Sequence, residues 1–337
     1  MASSGRERVR AALALDIADR PPVSAWGHTY DREWAVESLA DATVANTRTF
    51  GFDFVKLQIR ATVFSEAFGA RWRYSGSPDA EPAMELAGGA DAAGWREVAR
   101  GPVNPAVLAD QVEVVRRVAA ELGPGVPVIQ TVFSPGMVAW FLTGRDTALQ
   151  ARLMREEPKL MAEGLDRIAA VLARFTSDSL AAGAAGVFYA VNPLADTSLM
   201  APDEYDAVYL PSDRVAAAPA AAGWFNMLHL CGGHINQRLI EELGMHCVNW
   251  AVAEPGNPGL VEVRDRLGVA VAGGVDRYSP IRAANPDEIR DMALSAVDAT
   301  GGRGHLLTPG CSTSPWGMVR PENIRALAAA AGGNSPL

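Results

Sequence analysis

Three side chains in this sequence could do metal chemistry together. His229 and Cys231 lie in the stretch Asn226-Met-Leu-His-Leu-Cys-Gly-Gly233, and Cys311 lies in Leu307-Thr-Pro-Gly-Cys-Ser-Thr313. One imidazole and two thiolates form a donor set that suits zinc better than magnesium or calcium. Three protein ligands leave a fourth position open, and an open position marks a catalytic rather than a structural zinc. On an extended strand, residues two apart leave on the same face, so His229 and Cys231 can reach one ion. Taken singly, each of the three reads as core: a small buried thiol or a satisfied histidine. Only their joint placement at strand ends turns the reading to metal.

The elements that must place them alternate along the chain. Short apolar runs rich in Val, Ile and Phe predict eight strands, at Val23–His28, Phe52–Ile59, Val126–Phe133, Gly186–Val191, Phe225–Leu230, Cys247–Val252, Val269–Val275 and His305–Pro309. Most are nearly continuously apolar, as strands covered on both faces should be. Helical spacing falls between them, at about 34–49, 107–122, 146–182, 203–221, 236–243, 259–267, 285–299 and 320–332. An N-terminal helix is expected over Arg6 to Ile17, stopped by Arg20-Pro-Pro22. Strict alternation predicts an α/β fold, a (β/α)8 TIM barrel over residues 1–337 as one domain. An open doubly wound sheet is the alternative, but no G-x-G-x-x-G follows the first strand. The irregular stretch from Thr62 to Arg100 is expected to be an insertion after strand two. Ala70-Arg-Trp-Arg-Tyr74 and Trp95-Arg-Glu-Val98 would form its hairpin, over the barrel mouth.

Barrel chemistry sits at the carboxyl ends of the strands. His229, Cys231 and Cys311 all fall at such ends. Other polar residues there are weaker substrate-binding candidates: His28 and Tyr30 after strand one, Gln130 on strand three, Tyr189 and Asn192 at the end of strand four. Lys56 and Gln58 lie on strand two. Glu254 and Asp276, after strands six and seven, could give a fourth ligand or hold His229 by a hydrogen bond; each could equally cap a helix. Trp26, Met137, Trp140 and Trp316 read as pocket wall. Cys247 and His305 open strands at the opposite end and read as structural. His234 and His246 read as surface.

Composition excludes several classes. The 337 residues carry a net charge of −9 with Lys and Arg dispersed, which argues against nucleic acid. No apolar run approaches a membrane span, no signal peptide is legible, and three cysteines make no disulfide framework. A cytoplasmic protein is expected.

These residues also resemble a known group. Arg6-Glu-Arg-Val-Arg10 with Arg20-Pro-Pro22, Gly51-Phe-Asp53, Gly232-Gly233, Gly273-Gly-Val-Asp-Arg277 and Pro321-Glu-Asn323 are similar to the superfamily that joins uroporphyrinogen decarboxylase with the cobalamin-dependent methyltransferases. In its decarboxylase branch an arginine-rich loop follows strand one, an aspartate follows strand two and a histidine follows strand eight. Here those places hold Gly27-His-Thr-Tyr-Asp31, Ile59-Arg-Ala61 and Gly310-Cys311. The methyltransferase branch has His-x-Cys after strand five and Cys after strand eight, and His229, Cys231 and Cys311 match it.

The resemblance implies a zinc-dependent methyltransferase. Its acceptor would be a small thiol, coenzyme M-like or homocysteine-like, made nucleophilic by zinc coordination. The methyl donor would be a methyl-corrinoid (cobalamin) on a partner protein, since no Asp-x-His-x-x-Gly corrinoid signature is present. A homodimer is implied by the superfamily alone. The alternatives are a decarboxylase-like lyase acting on a porphyrinogen or other acid, and a non-catalytic zinc-binding relative.

Overall fold

The computed structural model describes residues 3–276 and 285–332. Arg277, in the Gly273 motif, lies outside them. The strands in chain order are β1 (Val55–Leu57), β2 (Arg71–Arg73), β3 (Ala83–Leu86), β4 (Val128–Phe133), β5 (Gly186–Ala190), β6 (Met227–Leu230), β7 (Cys247–Trp250), β8 (Ala270–Val275) and β9 (His305–Pro309). Seven of them form one curled parallel sheet in the order β1-β4-β5-β6-β7-β8-β9. The α/β barrel expectation holds, with one difference at the first stave.

Expected strand one shrinks to a single parallel bridge, Val23 to Leu307. The Leu307 amide donates to the Pro22 carbonyl at 2.9 Å, and the Asp53 amide donates to the Val23 carbonyl at 2.9 Å. The segment thus stands between β9 and the start of β1 and completes the ring. It stays short because Pro21 and Pro22 have no N–H to give and the Val23 N–H is taken by the Asp53 carboxylate at 2.8 Å. The same carboxylate accepts from Arg8 at 2.8 Å and Arg20 at 2.6 Å. Asp53 therefore ties the N-terminal helix Gly5–Leu13, the Arg20-Pro-Pro22 corner and the entry to β1 together.

Strand parity divides the core. Phe54, Ile129, Phe188, Met227, Cys247 and Leu306 fill the barrel interior, closed below by Val9 and Ala12 of the N-terminal helix. Their neighbours Val55, Val128, Val187, Leu228, Val248 and Val271 point outward to the helices. A parallel sheet covered on both faces needs apolar residues at both parities, hence the continuous apolar runs.

Two expected helices are split by proline. The 146–182 run becomes Thr147–Glu156 and Pro158–Ala181, and the 203–221 run becomes Pro202–Val208 and Leu210–Ala217 followed by a 3-10 turn. Proline is tolerated in a first turn but not in a helix interior. In the insertion, Arg71–Arg73 pairs with Ala83–Leu86, not with Trp95-Arg-Glu-Val98. Trp95 belongs to the helix Ala92–Arg100, opened by Asp91, whose carboxylate accepts from the Gly94 amide. Its buried indole lies so close to Gly164 that a Cβ there would meet ring carbons at 2.7 Å. Packing of the indole on the long helix overrides any strand tendency. Among the described residues, no helix is long and apolar enough to cross a membrane.

Candidate metal centre and pocket

β6 ends at Leu230, and Cys311 follows β9 by two residues. Both strand ends open on the same barrel mouth. The donor atoms of His229, Cys231 and Cys311 all lie within 4.8 Å of one another. His229 Nε2 is 3.4 Å from Cys311 Sγ. A tetrahedral zinc with bonds of about 2.0–2.3 Å holds its ligands roughly 3.5–3.8 Å apart, so the His229–Cys311 pair is near that spacing and the whole trio is within about 1 Å of it.

The tautomer of His229 also fits. Its Nδ1 is 2.7 Å from Asn249 Oδ1. The Asn249 amide nitrogen is turned to the carbonyls of Ala272 at 3.0 Å and Pro309 at 3.1 Å and to Thr308 Oγ1 at 3.3 Å. Those acceptors fix the amide orientation, so Oδ1 faces the imidazole and Nδ1 carries the proton. The lone pair of Nε2 is left for a metal. Asn249 thus fills the hydrogen-bonding role that Glu254 or Asp276 could have taken. It is a positioning residue, and its signal was an Asn at inward parity in the apolar strand Cys247-Val-Asn-Trp250. Asn249→Ala is expected to weaken zinc binding about 10–100-fold, measured by competition with a chromophoric chelator. Unchanged affinity would remove Asn249 from that role.

The trio opens on a cavity of about 450 Å³. Trp26, Met137 and Trp140 line it, as expected for pocket wall, whereas Trp316 lines a separate small cleft. The insertion contributes Trp72, Glu81 and Pro82, so it does cover the mouth. The helix Pro135–Leu142, which sequence reading left out, supplies Met137, Trp140 and Phe141. Ser134-Pro135 was its signal: the Ser134 hydroxyl accepts from the Met137 amide at 3.1 Å, with proline at the first helical position.

Of the weaker candidates, His28 and Tyr30 line the pocket, with their rings stacked at 5.0 Å. Gln130, Tyr189, Asn192, Glu254 and Asp276 do not line it. Gln130 points outward and donates to the Gln111 carbonyl, while its neighbours Thr131 and Phe133 face in. Tyr189 likewise points outward to Asp213, leaving Phe188 and Ala190 to the pocket. Asn192 caps the turn at Leu194. In each case strand parity or a local cap decides. Asp276 lines a different cleft, beside Val252 and Met292. Neither Glu254 nor Asp276 belongs to the His-Cys-Cys donor group.

The remaining residues sit as expected. Cys247 is buried core, and burial pushes its thiol up. His305 bridges Thr300 and the Gly273 carbonyl, with burial pulling its imidazole down to about 4. His234 and His246 are exposed.

Lys56, on β1, brings the pocket a buried amino group. It is 6% exposed and donates to Gln58 Oε1 at 2.5 Å. The Gln58 amide nitrogen is 2.8 Å from His28 Nε2, and His28 Nδ1 is 2.8 Å from Glu33. Because Glu33 fixes the proton on Nδ1, Nε2 accepts from Gln58, and the series ends on the ammonium. Burial pulls Lys56 down to about 7, against the opposing pull of Cys311 and Glu33.

A closed parallel barrel with a His-Cys-Cys group at its carboxyl mouth is the class this architecture defines. The family described as uroporphyrinogen decarboxylase (URO-D) matches residues 30–333, and the chain belongs to that family. Among solved structures, a methyltransferase from Methanosarcina mazei superposes with a TM-score of 0.78 at 21% identity, covering 98% of each chain. A B12-independent methionine synthase from Shewanella sp. W3-18-1 superposes with a TM-score of 0.54 at 14% identity, covering 88% of this chain and 86% of that one. A putative vitamin-B12-independent methionine synthase from Listeria monocytogenes gives a TM-score of 0.53 at 12% identity, with the same coverages. At such identities the likeness is one of fold. No curated protein matches the chain.

Proposed function

We propose that this chain is a zinc-dependent methyltransferase, moving a methyl group from a methyl-corrinoid on a partner protein to a small thiol. The convergence of His229, Cys231 and Cys311 on one cavity carries the reading. The methyltransferase among the fold relatives agrees with it. His229, Cys231 and Cys311 would hold the ion, with Asn249 fixing the imidazole. Zinc, when bound, supplies the positive charge that keeps a coordinated thiol deprotonated near neutral pH. The chain's own contribution is to seat the acceptor and to exclude water behind the aromatic wall. It also presents the acceptor's sulfur at the mouth, where a donor protein can reach it.

The family match fits a decarboxylase as well, but the cavity does not favour one. A porphyrinogen's carboxylates would need several cations; among the described residues the cavity lining offers Lys56 and Arg145, and Arg145 is paired with Glu81. A purely structural zinc would want a fourth protein ligand, and none joins the donor group among the described residues.

The test is methyl transfer. Protein loaded with one equivalent of zinc is mixed with methylcobalamin and a panel of thiols. The expected result is a methylated thiol by mass spectrometry with matching loss of the methylcobalamin absorbance. Absence of transfer to every thiol, with zinc bound and a methyl-corrinoid protein supplied as donor, would overturn the reading.

A further inference from the structure

We propose that the substrate of this pocket has a flat aromatic body and an anionic group, and that Lys56 binds the anion. The inference rests on the reading that this cavity seats the methyl acceptor.

Shape and surface argue for the ring. The cavity, about 450 Å³, falls in the range of sites that enclose drug-sized ligands, about 300–1,000 Å³. A two- or three-carbon thiol would leave most of it empty. One wall is an interlocked aromatic set: Phe133 stacks on Phe141 at 5.5 Å, and Trp72 and Trp140 pack on Phe141 at 6.0 and 5.4 Å. Trp26 and Phe188 face the cavity from the barrel interior, 5.5 Å apart and edge to face. Such surfaces favour a planar apolar body between them.

Charge argues for the anion. Aromatic walls also attract quaternary ammonium groups, but here Lys56 and Arg145 already lie over Trp26, Phe188, Trp72 and Phe141, and among the described residues no cation lies over Phe133 or Trp140, which are left to the substrate ring. The Arg145 guanidinium sits 5.7 Å from the Trp72 ring centre, and Lys56 Nζ sits 4.6 Å from that of Phe188. The nearby carboxylates are spent: Glu81 on Arg145, Glu33 on His28 and the Thr29 amide. Lys56 is not. An ammonium has three donors, and among the described residues its one hydrogen bond is to Gln58. Being nearly buried, it can satisfy the others only from the cavities it lines, this one and the small cleft beside Trp316. Phe188 joins the two ends of the site, since its ring stacks on His229 at 5.1 Å and carries Lys56 on its face. A single ring therefore spans from the metal ligands to the ammonium.

Isothermal titration of the zinc-loaded chain with four probes tests this: 4-mercaptobenzoate, benzyl mercaptan, 3-mercaptopropionate and benzyltrimethylammonium. The ring-plus-acid probe is expected to bind at least tenfold more tightly than any of the other three. Lys56→Met should remove that preference, weakening 4-mercaptobenzoate tenfold or more and benzyl mercaptan less than twofold. Equal affinities across the probes, tighter binding of the ammonium, or an unchanged preference in Lys56→Met would overturn the proposal. The wild-type comparison stands even if that variant misfolds. Benzoate, which has no thiol, separates the two readings. If it binds His229→Ala in a Lys56-dependent way, the anion site is real whether or not methyl transfer is observed. If thiols are methylated but benzoate does not bind, the anion site fails alone.

Discussion

Cys311→Ala is expected to lose tightly bound zinc and to cut methyl transfer by on the order of a hundredfold or more, while the barrel stays folded. The argument is one of donor count. His229, Cys231 and Cys311 are the donors whose atoms come within 4.8 Å of one another among the described residues. Removing one leaves two ligands for an ion that needs at least three from the protein. A thiol without metal assistance has a pKa near 8.5, so only a few per cent is thiolate at pH 7. The fold should not follow the metal, because a barrel of this size has its own core and is not a two-state apo/holo domain. Metal content by mass spectrometry and thermal unfolding check both halves. Cys247→Ala is the control: that thiol lies in the barrel interior at the far end of β7, so the variant should keep its zinc and lose only about 1 kcal/mol through a small cavity. Stoichiometric zinc in Cys311→Ala would sink the site.

Asp213→Asn should make the protein more stable than the parent above neutral pH, by a few kcal/mol, and not at acid pH. Asp213 is fully buried in the helix Leu210–Ala217 and accepts from Tyr189 at 3.0 Å and Tyr205 at 2.9 Å. Two phenols do not offset a buried charge, and burial pushes the carboxyl up from 3.8 to about 7. The folded chain therefore keeps this proton to about pH 7, while the unfolded chain releases it near 3.8. The stability it contributes is complete below 3.8 and is lost as pH rises through about 7. Every tenfold difference in proton affinity between the folded and unfolded chains corresponds to about 1.4 kcal/mol. Asparagine keeps an acceptor for the tyrosines and cannot ionise. Urea unfolding of both proteins at pH 4.5 and pH 8 isolates the effect, because Lys56 and His305 titrate alike in each and cancel in the difference. A difference independent of pH would show that Asp213 is not titrating there.

Much of the fold was legible because its physics is local. Continuous apolar runs meant strands covered on both faces, and seven of the eight expected staves are strands of the sheet. The first is shorter than its apolar run suggests because its amide is claimed by Asp53, a partner thirty residues away. Trp95 lies on a helix rather than in the expected hairpin because its packing on Gly164 has no sequence signature. Among site residues, the parity of His229 and Cys231 was readable from their spacing alone. Gln130 and Tyr189 lie outside the pocket because a strand's polar residue can point to either layer, and the choice depends on which helix offers Gln111 or Asp213 behind it.

The sequence by itself determined the alternation of strands and helices, the barrel it builds, and the residue types able to ligate zinc at strand ends. Tertiary structure decided what no spacing could. It put Cys311 3.4 Å from His229, gave Asn249 the task of fixing the imidazole, and brought Lys56 and the aromatic wall into one cavity. The reason is physical: period and propensity act between neighbours in the chain, whereas ligand distance, tautomer and desolvation depend on closing the ring.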